Sequence, residues 1–266
     1  MSDILEKIIA EKRKFVEAAK TALPLDEIQR RMDRYFVTHN PDRDFCARLR
    51  REKHNHIRVI GEIKRASPSK GKIADFASPL EVARKYRAGN VEAISVLTDE
   101  PFFLGKLEYL DELQTLGLPL LRKDFIIDDY QLYESIVHGA DAVLLIVAVL
   151  KQDTLRMAAL ANQLGIETLV EVHDQHELDI AVQSEAPAIG VNCRNLRDFS
   201  IDLRLCEELL PRIPAGRLKV AESGIFSRSD ARRMEQAGAD AILVGESLMT
   251  TPDPGALIRA LKGETH

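Results

Sequence analysis

From about His56 onward the chain alternates short apolar runs with amphipathic stretches, the pattern of successive βαβ units and a parallel sheet. Eight runs recur, centred on VIGEIK, AISVL, LPLLRK, AVLLIV, TLVEV, AIGVN, LKVAES and AILVG, and a helical stretch follows each. Two of those helices carry an N-cap residue before a first-turn proline, Ser78-Pro79 and Asp253-Pro254. Ahead of the runs lies a helical prefix. Ile4, Leu5, Ile8, Ile9, Phe15 and Ala19 recur near the helical period, with Asp3 and Glu6 resembling a capping box. Ile28, Met32 and Phe36 form a second stripe and Phe45 and Leu49 a third, separated by Pro24 and Pro41.

No GxGxxG follows the first run and the repeat stays regular to the end, which favours a closed barrel over an open doubly wound sheet. The expectation is a single α/β domain over 1–266, a (β/α)8 TIM barrel in which 1–55 is an N-terminal helical extension. A length of 266 residues suits that fold.

In such a barrel the reacting groups stand at the carboxyl ends of the strands. Side chains alternate along a strand, so Ile60, Glu62 and Lys64 share a face, Lys123 stands above Leu121, Glu171 above Leu169, and Asn192 with Arg194 above Gly190. Five ionisable groups therefore converge on one mouth. Rim ion pairs would account for any one of them, but desolvating a charge costs several kcal/mol, so the cluster reads as catalytic. Burial would bring lysine and glutamate toward a shared working range for proton transfer. Lys64 and Arg194 would attract a carboxylate or phosphate.

The last two runs end in AESGIFS and LVGESLM, where Gly224 and Gly245 stand at the strand-to-helix turns that often bind phosphate in barrels. After the first run comes a polar loop with Ser67, Ser69, Lys70 and Gly71, able to close over a ligand. Phe103 and Phe125 follow the second and third runs and offer an apolar wall for a ring. Alternation turns Cys193 toward the helix layer, and His54 and His56 fall at the amino end of the first strand. His173 and His176 lack a third metal ligand.

Composition narrows the class further. A net charge of −5 argues against a nucleic-acid footprint, and no apolar stretch of membrane-spanning length occurs. The charged start MSDILEKIIAEKRK does not resemble a secretory leader, so a cytoplasmic protein is expected. Three cysteines, Cys46, Cys193 and Cys206, without CxxC spacing suggest reduced thiols rather than disulfides or a zinc cage.

EIKRASPSKG (Glu62 to Gly71), SVLTDEPFFLG (Ser95 to Gly105), LRKDFIID (Leu121 to Asp128), VNCRNL (Val191 to Leu196) and AESGI (Ala221 to Ile225) together resemble the indole-3-glycerol-phosphate synthases, of the monofunctional bacterial type. The resemblance spans the helical prefix to the last helix. It implies ring closure of 1-(2-carboxyphenylamino)-1-deoxyribulose 5-phosphate with loss of carbon dioxide and water, without a cofactor and without a nucleic-acid or membrane partner. By resemblance Lys123 is the general acid toward the ribulose carbonyl, Glu171 serves the dehydration, Glu62 assists, and Lys64 pairs with the substrate carboxylate. Asn192, Arg194 and Ser223 match orienting residues; Gly224, Gly245, Glu246 and Ser247 match a phosphate cradle; Phe103, Phe125 and Leu196 match the wall around the anthranilate ring, near Ser67. Two departures stand out: Cys193 and Asn195 replace the Asn and Asp of many relatives, and Glu246 replaces a small residue, which leaves backbone N–H groups to meet the phosphate. A sugar-phosphate isomerase on a similar barrel and a non-catalytic phosphate sensor are the rival readings. Neither calls for the Lys64, Lys123 and Glu171 set. The sequence leaves the oligomeric state open.

Overall fold

The computed structural model describes residues 3–38, 44–52, 55–195 and 198–264. The eight apolar runs become eight parallel strands: β1 Arg58–Ile63, β2 Ala93–Leu97, β3 Leu120–Lys123, β4 Ala142–Ile146, β5 Glu167–Val172, β6 Ala188–Asn192, β7 Leu218–Glu222 and β8 Ala241–Val244. Each pairs with the next, and β8 returns to β1 with Arg58 opposite Ala241 and Gly61 opposite Val244, closing the barrel. Closure removes the unpaired sheet edges that an open sheet would expose.

Strand alternation divides the apolar residues into two cores. Ile60, Ala93, Leu121, Leu144, Leu169, Ala188, Val220 and Leu243 point inward and fill the barrel. Val59, Ile63, Ile94, Val96, Val170, Ile189 and Ile242 point outward and meet the surrounding helices. Both faces of every strand are thus buried, which is why the runs read as continuous apolar stretches rather than as alternating ones. The expected caps form: Ser78 accepts from Leu80 N–H at 3.1 Å and Asp253 from Ala256 N–H at 2.8 Å.

The helical prefix serves both ends of the barrel. It comprises α1 Asp3–Ala22, α2 Leu25–Thr38 and α3 Phe45–Leu49. Phe45, Cys46 and Leu49 join the inner core, so α3 stoppers the amino end, where Glu167 of β5 accepts from Cys46 N–H at 3.0 Å. Helix α1 lies at the opposite end, with Leu5, Ile8, Ile9 and Val16 buried. Phe15 is 44% exposed and Phe36 38%, because Val16 and Tyr35 take the packed positions beside them. Pro24 separates α1 from α2, while Pro41 and the side chain of Asp3 fall outside the described residues. Among the described residues no helix is long and apolar enough to cross a membrane.

Candidate active site

At the carboxyl end the strands open into a cavity of about 1170 Å³, counting its open mouth. Glu62, Lys64, Lys123, Glu171, Asn192 and Arg194 all line it, as alternation requires, together with Ser67, Phe103, Phe125, Ser223, Gly224, Gly245, Glu246 and Ser247. Leu196 lies outside the described residues. One further residue belongs to the floor: Glu222, the last residue of β7, which the sequence reading passed over. The rule that found the others finds it too, since Leu218, Val220 and Glu222 share the inward face.

The floor is one ammonium among carboxylates. Lys123 Nζ donates to Glu171 Oε2 at 3.0 Å and lies 3.4 Å from Glu222 Oε2; nearby Lys64 Nζ donates to Glu62 Oε1 at 2.5 Å. Register sets these contacts, with Glu171 opposite Gly190 and Asn192 opposite Glu222. Two glycines make the room. A Cβ on Gly190 would run into Glu222 Oε1, and a Cβ on Gly245 into Glu62 Oε1. Gly245 therefore seats a floor carboxylate as well as opening the last loop.

The electrostatics correct the simple picture in which burial draws lysine and glutamate together. Burial opposes the charge of Lys123, but attraction to Glu171, Glu222 and Glu62 outweighs it and holds the ammonium above the usual lysine range. Burial likewise opposes the charge of Glu171, and Lys123 with His173 outweighs it, so Glu171 stays ionised well below the usual carboxylate range. Glu222 moves the other way. Burial raises it, Lys123 only partly compensates, the neighbouring Glu171 adds repulsion, and its carboxyl is pushed up to about 8. Both its oxygens are buried without a well-aligned hydrogen bond. The group poised near neutrality is therefore the one the sequence reading missed.

The walls are apolar on one side and charged on the other. Phe103 and Phe125 stand with ring centroids 6.1 Å apart, inclined at 43°, beside Ile4, Leu5 and Ile8 of α1. Phe103 sits on a single helical turn, Glu100–Phe103, capped by Asp99, which accepts from Phe102 N–H at 3.0 Å. Phe125 N–H donates to its neighbour Asp124 at 2.8 Å. Lys12 of α1, itself buried, joins the two loops with Nζ 2.9 Å from Asp99 and 2.7 Å from Asp124.

Across the mouth, Ser223 and Gly224 take consecutive left-handed conformations, φ 68° and 78°, turning the chain out of β7. For serine this is strained backbone, of the kind that clusters at functional sites. Ser247 donates to Ile225 C=O at 3.1 Å, tying the last two loops together. Glu246 reaches Lys70 Nζ at 2.7 Å and Arg194 at 3.5 Å, so its side chain bridges cations from the first and sixth loops. Arg194 N–H donates to Asn192 Oδ1 at 3.0 Å. Ser67 lies on a short hairpin, Ala66–Ser67 against Gly71–Lys72, with its hydroxyl 3.3 Å from that of Ser69.

Cys193 packs in the outer core, as alternation requires, and all three cysteines are buried free thiols. His56 and His176 are exposed, and His54 lies outside the described residues. Among the described residues no group of three or more His, Cys, Asp and Glu is arranged to hold a metal ion.

The model of the family described as Indole-3-glycerol phosphate synthase matches residues 5–261. Proteins described as indole-3-glycerol phosphate synthase from Aromatoleum aromaticum and Azoarcus sp. are 44% and 46% identical, each match covering 99% of this chain and 100% of the relative. One from Variovorax paradoxus is 45% identical over 98% and 99% of the two chains. Among solved structures, 3-hexulose-6-phosphate synthase from Salmonella typhimurium superposes with a TM-score of 0.63 at 14% identity, covering 78% of this chain and 97% of that one. That likeness concerns the fold alone.

Proposed function

The chain belongs to the indole-3-glycerol phosphate synthase family, and from that premise we propose how its residues divide the reaction. The activity is that of a decarboxylating, ring-closing carboxy-lyase of tryptophan biosynthesis. Its substrate is 1-(2-carboxyphenylamino)-1-deoxyribulose 5-phosphate and its product indole-3-glycerol phosphate.

In this reading Lys123 gives a proton to the ribulose carbonyl oxygen as the carboxyl-bearing ring carbon attacks the carbonyl carbon. Carbon dioxide then leaves, its bonding electrons returning to the ring. The new hydroxyl departs as water on a donated proton, and the proton lost from the neighbouring carbon passes to a carboxylate. Glu171, Glu62 and Glu222 share these last transfers; Glu222, protonated below about 8, is suited to giving and Glu171, held ionised, to taking. Lys64 meets the substrate carboxylate. Phe103 and Phe125 flank the anthranilate ring, with Leu196 expected beside them and Ser67 at the rim. Asn192, Arg194 and Ser223 orient the sugar, while Gly224, Gly245, Glu246 and Ser247 receive the phosphate through backbone N–H groups. A cytoplasmic setting is part of the proposal, supported by three unpaired thiols.

The observation that carries the reading is the Lys123 ammonium held between Glu171 and Glu222 on the floor of a cavity with an aromatic wall. Supplied with the carboxyphenylamino substrate, the protein is expected to release carbon dioxide and produce indole fluorescence together. Isomerised sugar without either product would sink the reading. Lys123→Ala is expected to cut turnover by about 10²- to 10⁴-fold, the usual range for a proton-transfer group, with its circular dichroism spectrum unchanged.

A further inference from the structure

Behind Glu171 stands a residue that the division of labour above leaves idle. His173 follows two positions after Glu171 on the same face, at the start of the fifth loop. Its ring is wedged between two carboxylates. Nδ1 lies 3.1 Å from Glu177 Oε2, which also accepts from the His173 backbone N–H at 2.7 Å. Nε2 is buried and faces Glu171 Oε1 at 3.2 Å, off the line of a good hydrogen bond. Glu171 is thereby flanked on its other oxygen from Lys123, which holds Oε2.

From this geometry we infer that His173 is a positioning residue: an imidazolium, braced by Glu177, that fixes the Glu171 carboxylate and keeps it ionised when Lys123 turns to the substrate. The inference rests on the acid/base role proposed for Glu171. In the free protein Lys123 and His173 hold that charge together. Once the substrate carbonyl draws the ammonium away, Glu171 would be left buried beside Glu222 and would take up a proton prematurely. A second cation on the far side prevents that.

The groups facing the ring are few. Glu171 comes from its own strand and Glu177 from the Gln175–Ala181 helix. Two further helices pack against both: Val147–Leu150 brings only apolar side chains, while Asp153–Gln163 carries Asp153 and Arg156, which pair with each other and, through Arg156, with Asp129. Lys123 and Glu222 lie beyond Glu171. Burial works against the charge of His173, yet the two carboxylates prevail and its pKa is pushed up to about 10. No second protein base is needed to explain the arrangement, and a neutral ring would leave Nε2 facing Glu171 with a lone pair or one poorly aligned proton.

The test begins with the charge itself. In protein labelled with ¹⁵N-histidine, the ring signals lost in His173→Asn identify His173; both nitrogens are expected to stay protonated past pH 8.5 and to titrate about three units above an ordinary histidine. Glu177→Gln is expected to lower that titration by about one unit or more. A ring already neutral at pH 7.5 overturns the inference. Turnover supplies the second arm. In His173→Asn the acid limb of kcat, set by Glu171, is expected to rise by about one pH unit, with KM little changed, and His173→Lys is expected to restore it. An unmoved acid limb in folded His173→Asn overturns the positioning role; should that variant not fold, the same limb read in Glu177→Gln decides. Glu171→Gln separates the two readings. Near-normal turnover there refutes the acid/base role itself, whereas an inactive Glu171→Gln beside an unmoved His173→Asn profile refutes only His173.

Discussion

The carboxylate of Glu222 fills the space that a side chain at Gly190 on the neighbouring strand would need. Gly190→Ala is therefore expected to push Glu222 off the floor, costing about 1–3 kcal/mol as an overpacked core position does and lowering kcat at least about tenfold through the misplaced acid. Melting temperature and steady-state kinetics check it together. Full kcat in the alanine variant would mean that the location of Glu222 is immaterial to turnover.

Glu222 also sets an expected pH dependence. Its carboxyl is raised from an ordinary 4.5 to about 8, so it binds a proton in the folded state that the unfolded chain releases. The sign follows: its contribution to stability is complete below 4.5 and is lost as pH rises through about 8. Glu222→Gln, which cannot titrate, is expected to flatten stability against pH across that window in denaturant melts. The same variant should lower the kcat plateau by about 10²-fold or more and abolish the alkaline limb that deprotonation of Glu222 imposes. A variant that keeps that limb would move the assignment to another group.

Glu246 places a carboxylate between Lys70 and Arg194, where the substrate phosphate is proposed to settle. A dianion must compete with it for the two cations. Glu246→Gln is expected to lower KM by about two- to tenfold at low salt, with kcat little altered, the effect shrinking as salt screens it. A rise in KM would instead mean that Glu246 holds Lys70 and Arg194 in their productive places.

Lys12 ties α1 to the buried pair Asp99 and Asp124. Lys12→Met is expected to cost about 3–5 kcal/mol, because it takes the cation from a desolvated Asp99 and leaves Asp124 to Arg122 and Thr98. Denaturant unfolding measures the loss. Since Asp99 and Asp124 hold the turns that carry Phe103 and Phe125, KM should rise as the aromatic wall loosens. A change near zero in both would show Arg122 and Thr98 already sufficient partners for Asp124.

How much of this was legible follows from which interactions are periodic. The barrel was, because both faces of each strand are buried and the runs stand out. Glu62, Lys123, Glu171 and Asn192 were, because alternation alone aims them at the mouth. Glu222 obeyed the same rule but ended a run read for the glycine after it. Lys12 was hidden within the charged stretch EKRK, which reads as a solvated helix face. The direction of the shifts at Lys123, Glu171 and Glu222 was not legible either. It depends on which side chains from β3, β5 and β7 touch, and no spacing within one strand encodes that.

The α3 stopper gives the reaction its traffic rule. With Phe45 and Leu49 filling the amino end, the barrel is a cup rather than a tube. Carbon dioxide, water and the finished indole share the opening through which the substrate came, past Phe103 on one rim and the Lys70–Glu246 contact on the other. Nothing can leave through the floor, so each small product formed beside Lys123 has to pass the rest of the ligand or wait for it to go.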